Sequence, residues 1–367
     1  MPGIEFVDAD TGDHFDDDVL DTGPRRPWPR WVWVVAGLLA LAVAVGALVS
    51  SRSDDARKPA VSPSSSAPPS AETGPVEQIV ALTSDGTSLF WVAGQRLHRA
   101  GPVGRASASV AISPTGGDFA ELQLVPDPAE RTIWVVSHGS ADSNGGAGNV
   151  EGFSTTDLTR VSRASARSLI GGAAVLDGAL YVLASGRLLR IKAGGTGFSA
   201  VVPVDPHARS LVTAGNSLLF VEGGNSSAVG RWTPRGGVQR PVVLTTTDSS
   251  LAVVGSTVYV VGMRGGRDVL ETLPDAGEFN SQEIPTGLTE LQVVATGRSS
   301  LILLGSDEQG LELACITVRP RSNIARPMVQ ALATATSANV AVLRATIFQA
   351  VGGGVRPVSF PPGGCPG

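Results

Sequence analysis

The sequence predicts an all-β chain, a seven-bladed β-propeller that follows one transmembrane helix. Three observations lead to this. A stretch of nineteen residues, 31–49, carries no charge and is bordered by tryptophan and arginine. From about residue 76 onward, short runs of Val, Leu, Ile and one aromatic alternate with Gly, Asp, Asn and Ser turns, and no segment of ten or more has helical periodicity. These runs repeat. Phe90, Trp134, Tyr181, Phe220, Tyr259, Ile302 and Val342 are spaced by 44, 47, 39, 39, 43 and 40 residues, the length of one four-stranded blade.

The first element is residues 1–30. The chain has 367 residues, 28 Lys+Arg and 33 Asp+Glu, for a net charge of −5. Residues 1–30 hold eight carboxylates against Arg25, Arg26 and Arg30, so the whole excess lies there and the rest is neutral. A segment so charged and so poor in apolar residues cannot offset its ordering entropy by burial, and it is expected to be a disordered acidic tail in the cytoplasm. Phe6, Val7, Phe15, Val19 and Leu20 are its candidate anchors for a basic cytoplasmic partner. The mildly acidic balance argues against nucleic acid as a partner.

Residues 31–50 are the expected membrane helix, with the lipid bilayer as partner; at 1.5 Å per residue, the uncharged stretch reaches about the ~30 Å hydrocarbon thickness. Trp28, Trp31 and Trp33 mark the headgroup layer at its start. Arg25, Arg26 and Arg30 flank one side and Arg52, Arg57 and Lys58 the other, so basic residues do not set the orientation. The short N-terminal side and the Pro/Ser-rich residues 51–75 do: the N-terminus is expected in the cytoplasm and the C-terminal domain outside. Only Lys58 and Lys192 are lysine, while Ala, Gly, Val and Pro abound, a composition of high-GC bacteria; the expected location is a bacterial plasma membrane, crossed once. Residues 51–75 form a linker stiffened by proline, long enough at about 3.1 Å per residue to hold the next domain up to ~75 Å away.

Residues 76–367 are the propeller domain. Candidate inner strands precede the aromatic ones at 78–82, 122–125, 173–176, 211–214, 251–254, 291–295 and 331–335, and third strands follow at 94–98, 187–191, 229–232, 269–273 and 311–318. Fourth strands fall at 198–204 and 238–244. Inner strands read as nearly continuous apolar runs because neighbouring blades bury both of their faces. Asp85-Gly86-x-x-Leu89-Phe90-Trp91-Val92, Asp177-Gly178-x-Leu180-Tyr181-Val182 and Gly255-x-x-Val258-Tyr259-Val260 resemble blades of the bacterial seven-bladed propellers with WD-, NHL- and YVTN-type repeats. The resemblance spans roughly residues 75–363 and singles out no one family. It implies a binding platform, with enzymes a minority of the group.

Cys315 lies on a third strand and Cys365 near the end; outside the cytoplasm they are expected to form a disulfide tying the tail to the sixth and seventh blades. His98, His138 and His207 stand apart without zinc spacing, and the inner strands offer only Gln78, Gln123, Gln292 and Glu290. No catalytic, cofactor or metal residue is therefore expected. Ser84-Asp85-Gly86-Thr87 reads as a hairpin turn, His98 as a surface residue, and residues 137–149, with a single carboxylate, as a plain loop. Arg264 and Arg267, in a Gly-rich turn, are the candidate ligand-contact pair. The expected function is a binding scaffold or sensor for a protein or polysaccharide of the cell envelope. The alternatives are an enzyme acting on envelope carbohydrate or a lactone, and a transmembrane signalling subunit whose tail docks a regulator.

Overall fold

The computed structural model describes residues 77–101, 108–114, 121–139, 147–223, 228–273, 280–318, 328–335 and 337–360. The expected tail, membrane helix and linker lie outside the described residues, as do Trp28, Trp31, Trp33, Arg25, Arg26, Arg30 and Cys365. Among the described residues no helix is long and apolar enough to cross a membrane. The chain divides into units 1–71 and 72–367, and the second holds all that follows.

This unit is a seven-bladed β-propeller. Its first sheet is β1 (Ile79–Ser84), β2 (Leu89–Ala93), β3 (Arg96–Ala100) and β4 (Ala108–Ala111). The second is β5 (Leu122–Asp127), β6 (Thr132–Ser137), β7 (Asn149–Ser154) and β8 (Arg160–Ser165). The third is β9 (Ile170–Leu176), β10 (Ala179–Ala184), β11 (Arg187–Lys192) and β12 (Ser199–Pro203); the fourth is β13 (Arg209–Ala214), β14 (Ser217–Glu222), β15 (Ala228–Thr233) and β16 (Gly237–Val243). The fifth is β17 (Thr247–Val254), β18 (Thr257–Arg264), β19 (Arg267–Leu273) and β20 (Asn280–Glu283); the sixth is β21 (Thr289–Thr296), β22 (Ser300–Asp307), β23 (Gly310–Thr317) and β24 (Met328–Thr334). The seventh has three described strands, β25 (Val340–Leu343), β26 (Thr346–Val351) and β27 (Gly354–Pro357). Every sheet is an antiparallel meander in chain order.

Seven apolar clusters hold the ring, each shared by two consecutive blades. Leu97, Ile133 and Phe153 join blades 1 and 2; Val136, Ala164 and Leu180 join 2 and 3; Leu188, Leu211 and Phe220 join 3 and 4. Val221 with Val260, Tyr259 with Leu301, and Ile302 with Ile347 continue the series through blade 7. Trp91 and Leu89 against Phe348 and Ala350 close it between blades 7 and 1. Among the described residues no strand of blade 1 joins the sheet of blade 7; the seam there carries apolar packing and Asn339 Nδ2, which donates to Ile79 O at 3.0 Å.

The strand buried on both faces is the second of each blade: β2, β6 and β10 have no exposed residue. The innermost strands are more open, since one edge faces the channel; β21 exposes four of its eight residues. This corrects the expectation that neighbouring blades bury both faces of the inner strands. Local chemistry sets the turns. Asp85 Oδ1 accepts from Thr87 N, Thr87 Oγ1 and Ser88 N, each at 2.8 Å, so this segment is an Asx-stabilised hairpin turn as expected. Asp177 and Gly178 both take positive φ, 50° and 65°, the twist a two-residue hairpin requires. Gly172 lies so near blade 4 that a Cβ there would stand 2.7 Å from Leu211 N.

The seventh blade departs from the sequence reading. The run 331–335 is not its inner strand; most of it belongs to β24, the outer strand of blade 6. Val342 lies on the innermost strand β25, and Phe348 on β26 takes the aromatic position. The physical reason is the β23–β24 connection: at ten residues, 318–327, it is the longest between a third and a fourth strand, so β24 falls where a constant period places the inner strand of blade 7. After β27 the chain turns back: Val358 N donates to Ile347 O at 2.8 Å, and Val358 and Phe360 pack on the cluster between blades 6 and 7.

Candidate functional site

The inner strands β1, β5, β21 and β25 enclose a channel-side cavity of about 470 Å³. Its polar lining is Thr83, Ser84, Gln123, Thr296 and Asn339; no charged or aromatic side chain lines it among the described residues. The amides hold the ring as well as the wall. Gln123 Nε2 donates to Ala173 O of blade 3 at 3.1 Å, and Asn339 spans the seam. Thr213 Oγ1 donates to Val175 O at 2.5 Å, linking blade 4 back to blade 3. Each side-chain amide thus commits one N–H to a neighbouring blade.

Charged groups sit elsewhere. On β7, Glu151 is 2% exposed; its Oε1 accepts from Arg160 Nη1 and its Oε2 from Ser113 N of blade 1, each at 2.8 Å. Asn149 Nδ2 donates to Ser113 O at 2.9 Å. On β19, Glu271 is fully buried; Oε1 accepts from Thr245 Oγ1, while Oε2 has no partner. Periodicity did not reveal either glutamate, because a lone carboxylate in a strand reads as an outward residue.

The candidate pair Arg264 and Arg267 flanks the β18–β19 turn, exposed and already engaged within the domain. Arg264 Nη1 donates to Thr245 Oγ1 at 3.3 Å, and Arg267 Nη1 pairs with Glu283 Oε1 at 2.6 Å across to β20. Cys315 is fully buried on β23. His98, His138 and His207 fall in separate places. His98 is not the surface residue the sequence implied: it is half-buried, stacked on Trp91 at 5.3 Å, with Nε2 unpartnered. Burial, then Arg96, lowers its pKa, against a weaker upward pull from Glu77. His138 Nδ1 lies 2.5 Å from Ile170 O, and exposed His207 sits 3.5 Å from Asp205. Burial raises the pKa of Glu222, helped by Asp205 nearby. Among the described residues no group of three His, Cys, Asp or Glu is placed to hold a metal. The tip of the 137–149 loop lies outside the described residues.

The fold brings out one feature that total charge conceals. From residue 158 to 204 there are six basic side chains, Arg160, Arg163, Arg167, Arg187, Arg190 and Lys192, and one carboxylate, Asp177. From 268 to 312 there are nine carboxylates and one basic residue, Arg298. The first run spans the outer strand of blade 2 and all of blade 3; the second spans blades 5 and 6. A windowed charge count, instead of a sum, finds both.

No protein-family model and no curated protein matches the chain. Among solved structures it is similar to the extracellular domain of BT4673, described as a one-component system of B. thetaiotaomicron, at 12% identity and a TM-score of 0.49, covering 77% of this chain and 39% of that one. The chain thus spans about two-fifths of that protein's length. It is also similar to the computationally designed Ika8 protein, at 10% identity and a TM-score of 0.47, covering 78% and 98% of the two chains. The N-terminal domain of Nup159 gives 10%, 0.47, 78% and 90% on the same measures.

Proposed function

We propose that this protein is a membrane-anchored binding platform whose propeller stands outside a bacterial plasma membrane and holds a partner of the cell envelope. The observation that carries the reading is the stitched ring. Seven shared clusters and the inter-blade hydrogen bonds of Gln123, Thr213 and Asn339 fix the strands, so the connecting loops can be displayed without rearrangement. The uncharged stretch 31–49 supplies the anchor and residues 51–75 the stalk. The acidic tail then faces the cytoplasm, free to meet a basic partner there.

A Cys315–Cys365 bridge belongs to the same proposal. Val358 and Phe360 already lead the C-terminal segment back to the cluster that contains Cys315. Such a bridge would fasten the three-stranded blade, stabilising by roughly 4 kcal/mol for a loop of about 50 residues. Peptide mapping without reduction should recover the two cysteines in one linked species.

Protease added to spheroplasts tests the topology: the propeller should be digested and residues 1–30 protected. Full protection of the propeller contradicts it. Cross-linking in living cells then identifies the partner.

A further inference from the structure

We infer that the channel-side cavity of blades 6, 7, 1 and 2 binds the end of an uncharged saccharide, one or two sugar rings. The inference rests on the envelope reading above and names the chemistry of a ligand for it. The cavity, about 470 Å³, falls within the ~300–1,000 Å³ of small-molecule sites and far exceeds the ~30 Å³ share of one water. Its polar groups arrive from four blades: Thr296 on β21, Asn339 just before β25, Thr83 and Ser84 on β1, and Gln123 on β5. The hydroxyls of Thr83 and Thr296 have no hydrogen-bond partner among the described residues. Inner-strand hydroxyls of blades 4 and 5 are consumed between blades instead: Thr213 Oγ1 donates to Val175 O, and Ser250 Oγ accepts from Val293 N at 3.4 Å. Gln123 and Asn339 each give one N–H to a neighbouring blade, which leaves a second N–H and the amide oxygen of each.

Hydroxyls and amides both give and accept, so this wall matches a ligand whose own polar groups do the same. A sugar ring carries such hydroxyls around its whole edge, as groups converging from four blades require. An extended peptide bonds along two edges only and projects side chains from its other faces. Leu122, Val294, Val340 and Val342 line the same cavity and offer apolar contact to the C–H faces of a ring. Charge is excluded by its cost. No charged side chain lines the cavity among the described residues, so a carboxylate entering it would lose hydration without a countercharge. The acids at the ends of β1 and β5 turn to their own hairpins. Asp85 Oδ1 accepts from Thr87 N and Ser88 N; Asp127 is 1% exposed, and its Oδ1 accepts from Glu130 N. Glu121, Arg298 and Arg344 flank the strands outside the lining.

The test uses the full chain in micelles of a detergent without a sugar headgroup, titrated calorimetrically with maltose and with cellobiose. Glucuronate and a Gly-Ala-Gly peptide blocked at both ends are the comparison ligands. At least one disaccharide should bind with a Kd of about 1 mM or tighter. That affinity should be the same at about 50 and about 200 mM salt, since no ion pair contributes. Thr83→Val with Thr296→Val should lower it at least tenfold at unchanged Tm. Ala338→Trp, at an exposed position of the lining, should fill the cavity and abolish binding, and it decides the matter where the double variant fails to fold. Arg267→Ala in blade 5 should leave binding unchanged. Failure of both sugars to bind, full affinity in the folded double variant or in Ala338→Trp, or tighter binding of the peptide or glucuronate overturns the proposal. The spheroplast digestion is independent of these outcomes: a digested propeller that binds neither sugar leaves the envelope reading standing and removes this one.

Discussion

Blades 2 and 5 each bury a glutamate at the same register position. Glu151 pairs across the sheet with Val135, the residue after Trp134; Glu271 pairs with Val260, the residue after Tyr259. Both contact the segment arriving from the preceding blade, through Ser113 in one case and Thr245 in the other. Yet Glu151 has both oxygens bonded and an arginine as countercharge, while Glu271 has one oxygen without a partner and its nearest arginine, Arg264, bonded to Thr245 instead. The first lies beside the basic run and the second inside the acidic one. One register position therefore yields a satisfied ion pair where local charge supplies a cation, and a half-satisfied carboxylate where it does not.

The largest expected effect breaks the satisfied member. Glu151→Ala strands Ser113 N; Arg160, 45% exposed, can turn to water, so urea unfolding should show a loss of about 2 kcal/mol, that of a buried donor left without its acceptor. Glu271→Gln keeps an acceptor for Thr245 and removes an uncompensated buried charge, so its cost should be under about 1 kcal/mol. Equal losses at the two sites would show that local charge does not distinguish them.

Protonation sharpens the contrast. Asp157, in the β7–β8 turn, is lowered to about 2 by hydrogen bonds from Thr159 and Ser154. Its contribution is present above the ordinary value of 3.8 and is lost as pH falls toward 2. Asp268, in the acidic run, is raised, first by burial and then by Glu290, against a bond from Leu291 N. Its effect has the opposite sign: stability is full at low pH and falls as pH rises through the carboxylate range. NMR titration of the two side chains should place them on opposite sides of 3.8. His98, with its pKa lowered, makes the seam between blades 7 and 1 lose stability as pH drops below 6.5. His98→Gln should flatten that loss in thermal melts. The smallest effect is Arg267→Ala: the pair with Glu283 is exposed on both sides and should contribute under about 1 kcal/mol.

The blades that carried an aromatic in the second strand were legible as sequence. Trp134, Tyr181 and Tyr259 mark strands enclosed on both faces, and burial on both sides requires such runs. Blade 7 was misplaced because Ala-rich β24 and short β25 lack that marker, and the ten-residue β23–β24 connection puts β24 where the period calls for an inner strand. The turn at Asp85 was legible from its own side-chain chemistry. The channel wall was partly so: Gln123 was noted, while Thr83, Thr296 and Asn339 were not, since small polar residues near turns carry no signal of the face they line. Glu151 and Glu271 were hidden because Ser113 and Thr245, which bond to them, arrive from the preceding blade. The charged sectors were hidden because residues 31–367 as a whole sum to neutral.

The central claim is a rigid ring that holds an envelope partner on one side. A photoreactive side chain placed at exposed Ser165, and in a second variant at exposed Gln309, tests it in living cells. Position 165 should yield an adduct with a component of the cell envelope, and position 309 should not. Matching adducts at both positions, or none at either, would contradict the account.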